Sequence, residues 1–389
     1  MVIMERKHLI KQIDYLFNVN PAIAILGPRQ CGKTTLARQY IAHLKTGIPK
    51  QNYFDLENSR DIERLKDPIL MLSQLSGLIV IDEVQYAPEL FSILRVLIDD
   101  PTLCQRFLIL GSASGQLLRQ SSETLAGRIS YLELTPFSYP EALDIEKVWI
   151  RGGFPKSYLA KTDAISQSWR RAFVKTFLEL DIPKLGIQIP PENLRRFWMM
   201  LAHRHGQLLN ASDIGNSLGL SHKTILNYTD ILTSTYMIRQ LKPWFENISK
   251  RQVKTPKLLF RDSGMFHSLI NVTSLADLQM HPQLGNSWEC FAIEEIIRFH
   301  QADSEDCYFW ATHQGAELDF LLVKNNRRIG FEIKYSSSPS LTKSLQIAQQ
   351  DLKLDKCFVI YPGEVDFPLS KTIQVVGLKS YLASSCEKF

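Results

Sequence analysis

A loop that must wrap its backbone around phosphate is the tightest constraint on this chain. Residues 27–34 read Gly27, Pro28, Arg29, Gln30, Cys31, Gly32, Lys33 and Thr34, the spacing G-x-x-x-x-G-K-[ST]. The glycines let successive N–H groups turn inward to phosphate oxygens. The lysine reaches the β- and γ-phosphates, and the threonine hydroxyl ligates Mg²⁺. The flanks agree with this: residues 22–26 are a short apolar run suited to a buried strand, and residues 35–40, opening on Thr35, begin a helix. Strand, loop and helix in that order set the phosphates at a helix N-terminus, where the dipole favours negative charge. The chain is therefore expected to bind a nucleotide.

Residues 77–83 form a continuous apolar run that ends in two carboxylates, Asp82 and Glu83. Such a run suits a central parallel strand, and ligands sit at the carboxyl ends of those strands. Asp82 is expected to hold Mg²⁺, and Glu83 to orient or deprotonate the attacking water. A lone aspartate would suit binding, whereas the second carboxylate points to hydrolysis. A third strand over 106–112 ends in small and hydroxyl residues, so Ser112 or Ser114 could sense the γ-phosphate. A plain Gly/Ser turn would read the same. Arg128 fits an arginine finger, since charge develops on the transferred phosphoryl group, but it fits a structural ion pair equally well.

These motifs follow one another in a familiar order: GPRQCGKTT, IVIDEVQ, LGSAS, LAGRISYLELTPFSYPE, then GGFP at 152–155. The chain resembles the bacterial and archaeal AAA-type P-loop ATPases that carry a C-terminal domain of unknown function, a winged helix plus a PD-(D/E)xK nuclease-like fold. The resemblance runs from about residue 5 to about residue 365 and is most specific in the first 155. It implies ATP as the nucleotide, lying against residues 27–35, with Lys33 and Thr34 as phosphate and Mg²⁺ contacts, Asp82 and Glu83 as the acidic pair and, less securely, Ser112 as a sensor. It implies catalytic roles for Glu83 and, less securely, Arg128.

At 389 residues the chain exceeds one ordinary core, and two or three domains are expected. The fold class is α/β. A P-loop AAA-type domain with a parallel sheet is assigned to 1–155, a helical and winged-helix segment to 156–254, and a nuclease-like α/β domain to 255–389. No apolar run approaches the ~20 residues that span a bilayer, and the N-terminus lacks a secretory pattern, so a cytoplasmic protein without membrane contact is expected. The six cysteines, at 31, 104, 290, 307, 357 and 386, show no Cys-x-x-Cys pair, which argues against a zinc site or a disulfide framework. Cys31 would make the loop sensitive to thiol reagents if it is exposed. The net charge of +5 permits nucleic-acid binding without demanding it.

In the middle of the chain, helical periodicity over 169–182 and 191–205 precedes a short helix, a glycine-containing turn at 219 and a second helix over 222–232. With residues 236–241 as a β-wing, this is a winged-helix pattern. His222, Lys223, Thr224 and Asn227 would then face DNA, although one lysine and no arginine is sparse for phosphate neutralisation, and scaffolding is the preferred reading. Lys242, Lys250, Arg251, Lys254, Lys257 and Arg261 follow, interleaved with Trp244, Phe245 and Phe260. They suit either a nucleic-acid groove or a solvated inter-domain loop.

The last third holds a second candidate site. An amphipathic helix is expected over 285–299 with Glu289 near its start, then strands over 307–310, 317–323 and 329–334. Asp319, Glu332 and Lys334 have the order D…E-x-K, and period-two geometry puts Glu332 and Lys334 on one strand face. Glu289, Asp319 and Glu332 could ligate one or two Mg²⁺, with Lys334 positioning the nucleophile. The expected function is a Mg²⁺-dependent ATPase that drives or gates this module, acting on nucleic acid, DNA rather than RNA. The alternative is an ATP-dependent switch or scaffold that cuts nothing. A homo-oligomer is compatible with either.

Overall fold

The computed structural model describes residues 4–44, 47–112 and 123–384, and Ser114 lies outside them. Two compact units emerge, residues 1–136 with 234–236 and residues 137–233 with 237–389. Residues 137–155, GGFP included, thus pack within the second unit.

The first unit is built on five parallel strands, β1 (Ala22–Gly27), β2 (Tyr53–Asp55), β3 (Gly77–Asp82), β4 (Gln105–Ser112) and β5 (Ile129–Glu133), in the order β2-β3-β4-β1-β5. All six residues of β1 are buried, as are the last four of β3. Continuous Ile, Leu, Val and Ala runs are what a sheet covered on both faces requires. One face packs Phe54, Leu72, Leu94 and Phe107. The other packs Ile10, Ile13, Leu36 and Tyr40 from the helices Lys7–Leu16 and Lys33–His43. Because β4 lies between β1 and β3, the ends of all three strands open at the same edge, with Gly27 opposite Ser112.

The second unit contains an eight-stranded mixed sheet, ordered β12-β13-β11-β10-β9-β8-β6-β7. Its strands are β6 (Ile238–Pro243), β7 (Lys257–Phe260), β8 (Cys307–Ala311), β9 (Glu317–Lys324), β10 (Arg327–Ile333), β11 (Lys356–Tyr361), β12 (Phe367–Pro368) and β13 (Ile373–Gly377). The helix Ala211–Leu218 ends at Gly219 in the left-handed region, and Ser221 caps the helix His222–Ser234 by accepting from Thr224 N at 3.1 Å. The β-wing expected over 236–241 is here a strand of the main sheet. β6 pairs antiparallel with β7 and parallel with β8, so it lies inside the large sheet.

The helix Leu284–His300 also departs from the amphipathic reading. Trp288, Cys290, Phe291, Ile293, Ile296 and Phe299 are buried around most of its circumference, as in a helix at the centre of a core. Glu294 and Glu295, buried on the same helix, are held by Arg239 and Arg298.

The GGFP turn is fixed by Asp262. One carboxylate oxygen caps the helix Ser263–Leu269 through Met265 N at 2.9 Å, and the other accepts from Gly153 N at 2.8 Å. A Cβ on Gly153 would stand 2.0 Å from the Phe137 carbonyl oxygen, whose own N–H donates to Gly153 O at 2.8 Å. Backbone cannot yield as a side-chain tip can. Gly153→Ala is therefore expected to destabilise the second unit by about 2 kcal/mol or more, read as a lowered denaturant midpoint.

Candidate functional site

The phosphate loop closes on its own lysine. Lys33, buried in the first turn of its helix, donates from Nζ to the carbonyls of Gly27 (3.1 Å) and Pro28 (3.0 Å) and to Ser112 Oγ (3.4 Å). Gln30 and Gly32 have positive φ, 62° and 104°, which turns the chain back on itself. A Cβ at Gly27 would lie 2.2 Å from the Leu134 carbonyl oxygen, so only glycine fits there. Arg29 reaches out of the loop to Glu57 at 3.0 Å. Thr35 is exposed on the outer side of the first turn. Cys31 is 1% exposed, and burial pushes its thiol up, so the expected sensitivity of this loop to thiol reagents is corrected.

Thr34 Oγ1 donates to Asp82 Oδ2 at 2.9 Å, bringing together the hydroxyl and carboxylate that a Mg²⁺ shell would use. Two protein oxygens suit Mg²⁺, which keeps waters and takes the rest of its shell from phosphates. Glu83 takes a left-handed conformation (φ 58°, ψ 46°), uncommon for a residue other than glycine. Burial holds its carboxyl group above the usual carboxylate range, and nearby Lys33 offsets only part of that rise.

Two residues around this centre have no role in the sequence reading. Tyr53 Oη donates to the same Asp82 oxygen at 2.8 Å. The Gln85 amide donates to Glu83 Oε2 and its oxygen accepts from Ser112 N at 3.2 Å, which ties Glu83 to the end of β4. Gln85 lies within the IVIDEVQ segment, the signal that could have found it, whereas Tyr53 carries no motif.

Arg128 is not brought to its own loop. Its carbonyl accepts from Ala22 N at the amino end of β1, five residues from Gly27, or roughly 16 Å along a strand. Its guanidinium grips Asp99 at 2.5 and 2.9 Å on the surface. In this structure it is an ion-pair arginine.

In the second unit, β9, β10, β7 and the buried helix bring five charged groups together. Asp319 Oδ2 accepts from Ile333 N at 2.8 Å, and Glu332 pairs with Lys334 at 2.7 Å. Lys257 Nζ lies 3.3 Å from Glu289 Oε1 and 4.0 Å from Asp319 Oδ1, over the ring of Phe309. The sequence reading put Lys257 in a basic stretch suited to either a nucleic-acid groove or a solvated inter-domain loop. It is instead a buried strand residue, and only long-range packing makes it so. Glu332 Oε2 is buried and has no hydrogen-bond partner.

Burial, then the Asp319 charge, pushes Glu332 up to about 8, and the same two causes push Glu289 to about 7. Burial works against the charge on Lys257, but Glu289 and Asp319 outweigh it and its ammonium stays protonated. The expected three-ligand cage is not assembled: among the described residues, no three acidic, imidazole or thiol groups converge to hold a metal. Lys257 occupies Glu289 instead. The His222 and Lys223 side chains, and that of Asn227, are exposed on their helix.

Comparison with known proteins places these features. The chain is 42% identical over 385 residues to the uncharacterized protein Rv2008c of Mycobacterium tuberculosis, covering 98% of this chain and 86% of that one. The uncharacterized protein Mb2031c of Mycobacterium bovis matches equally. The chain belongs to the family of these mycobacterial proteins. Residues 19–143 of this chain match the AAA domain, so it carries a P-loop ATPase domain there. Residues 142–276 and 284–381 match two domains of unknown function, DUF8612 and DUF4143. Among solved structures, the Walker-type ATPase PABY2304 of Pyrococcus abyssi is similar over 69% of this chain and 96% of its own, at 15% identity and a TM-score of 0.44. No helix among the described residues is long and apolar enough to cross a membrane.

Two outcomes are expected from this geometry. Lys33→Ala should abolish tight ATP binding in equilibrium dialysis, and retained micromolar affinity would remove the loop's role. Because Glu332 must lose a proton to ligate a cation, Mn²⁺ affinity at the second-unit cluster should rise as pH increases from 6 to 9. A flat profile would show that Glu332 is not a ligand.

Proposed function

We propose that this chain is a Mg²⁺-dependent ATPase whose hydrolysis drives or gates a nuclease-like module acting on nucleic acid, with DNA the preferred substrate class. The observation that carries the ATPase half is the 2.9 Å contact of Thr34 with Asp82, beside Lys33 and next to Glu83. Bound Mg²⁺ would neutralise charge on the β- and γ-phosphates. Lys33 would exchange its carbonyl partners for phosphate oxygens, and Ser112, 3.4 Å from that ammonium, would sense the terminal phosphate. Glu83 would take the proton of the attacking water once Gln85 releases its carboxylate. Glycines 27 and 32 and residues 28–31 form the cradle, with Thr35 behind it. Arg128, far from its own loop, could serve only a neighbouring copy in a homo-oligomer.

For the second unit, the pairing of Glu332 with Lys334 beside Asp319 supports a PD-(D/E)xK-like site on the β9–β10 hairpin. Asp319 and Glu332 would hold a divalent cation that activates water. Lys334, half-exposed, would meet the scissile phosphate. The helix pair 211–218 and 222–234 is read as a winged-helix-like element serving packing first. A threefold division into ATPase, helical and nuclease-like modules is part of the same proposal, as is a cytoplasmic location. The second reading, a switch that binds without cutting, draws on Lys257, whose ammonium already fills part of the acidic cluster.

Glu83→Gln is expected to bind ATP like the wild type and hydrolyse it at least about a hundredfold more slowly, the size of effect a positioned general base supplies. Unchanged turnover would exclude the glutamate as base. Plasmid incubated with Mg²⁺ or Mn²⁺ and ATP should be nicked by the wild type and left intact by Lys334→Ala. No nicking under any condition favours the non-cleaving switch.

A further inference from the structure

Three carboxylates and two ammonium groups share the second-unit cluster, and the geometry sorts them unequally. Lys257 Nζ takes Glu289 at 3.3 Å and one oxygen of Asp319 at 4.0 Å, while the other Asp319 oxygen is tied to Ile333 N. Lys257 is 8% exposed and Asp319 4%. Lys334 takes one oxygen of Glu332, which leaves Glu332 Oε2 as a buried acceptor without a partner. Glu332 is 3% exposed, and a charged carboxylate oxygen left there without a partner is costly; a proton or a cation removes that cost.

We propose that Lys257 is a resident cation standing where a second metal would stand, so that this cluster takes a single divalent metal, on Asp319 and Glu332, and excludes Glu289 from its ligands. The inference rests on the metal-dependent reading of this cluster but not on cleavage. An ammonium and a divalent cation compete for the same carboxylate oxygens. A lysine delivered by β7 and backed by the Phe309 ring at 5.5 Å cannot move aside without leaving its own charge buried and unpaired. Two protein carboxylates are enough for one hard cation that keeps water in its shell, and that remaining water-bearing face is where a phosphate oxygen would enter. Lys257 is thus a positioning residue: it holds Glu289 and Asp319 without touching a substrate.

The test counts Mn²⁺ bound per full-length chain by electron paramagnetic resonance. Nucleotide is omitted, because its phosphates complete the other Mg²⁺ shell. The wild type should bind one Mn²⁺. Lys257→Gln, which frees Glu289 and Asp319, should bind two. Lys257→Arg, which keeps the charge, should still bind one and guards against a Lys257→Gln chain that fails to fold. Glu289→Gln should leave affinity unchanged within about twofold, whereas Glu332→Gln should weaken it at least about tenfold, since loss even of a ligand's supporting partner costs that much.

Two Mn²⁺ or none in the wild type, one in a folded Lys257→Gln chain, two in Lys257→Arg, or loss of binding in Glu289→Gln would each overturn the inference. A wild type that binds one Mn²⁺ yet nicks no DNA would remove the cleavage reading alone. A wild type that nicks DNA with two Mn²⁺ bound would remove this inference alone.

Discussion

Thr34 and Asp82 meet across an intervening strand, and the nucleotide chemistry proposed for the first unit depends on that meeting. Their oxygens are 2.9 Å apart although β4 separates the strands that deliver them. The arrangement requires β1, β3 and β4 to be parallel and in register at their carboxyl ends, where Gly27 stands opposite Ser112. The buried apolar runs supply that register, because a strand covered on both faces cannot slip without exposing side chains or losing ladder bonds. Packing of Ile, Leu and Phe around the sheet thereby sets the position of a hydroxyl and a carboxylate to within hydrogen-bond distance.

The second unit solves a different problem, the burial of many charges in one core. Glu294 and Glu295 sit in the buried helix with Arg239 and Arg298 as partners. Breaking such a pair leaves an uncompensated buried charge, so the whole set must persist together. In the cluster of Asp319, Glu332 and Lys334, Glu332 Oε2 is a buried acceptor without a hydrogen-bond partner, while Lys334 takes the other oxygen; in the structural network the atom left over is a donor, Arg298 Nε.

The parts of the molecule readable in the sequence are those governed by local rules. The phosphate loop, the carboxylates ending β3 and the hydroxyl ending β4 each follow from a strand and the few residues after it. The alternation of Glu332 and Lys334 with Phe331 and Ile333 likewise follows from the pleat. What escaped depends on long-range placement. Nothing near Arg128 tells which end of the sheet it occupies, because that is decided by the pairing of β5 with β1. Lys257 looks like one more basic residue in a basic stretch until β7 joins β6 at the sheet edge and buries it. The helix Leu284–His300 carries enough polar residues to look amphipathic, but Glu289 and Glu294 are buried against Lys257 and Arg239, partners from distant strands that its own sequence does not announce.

As proposed above, the loop, Asp82 and Glu83 act as one hydrolytic centre and not only as a nucleotide-binding one. Phosphate release from ATP by the full-length protein, followed with Mg²⁺ present and after its removal with EDTA, tests this most directly. Steady turnover that stops when the metal is removed is the expected result. Tight ATP binding with no phosphate released in the presence of Mg²⁺ would contradict it.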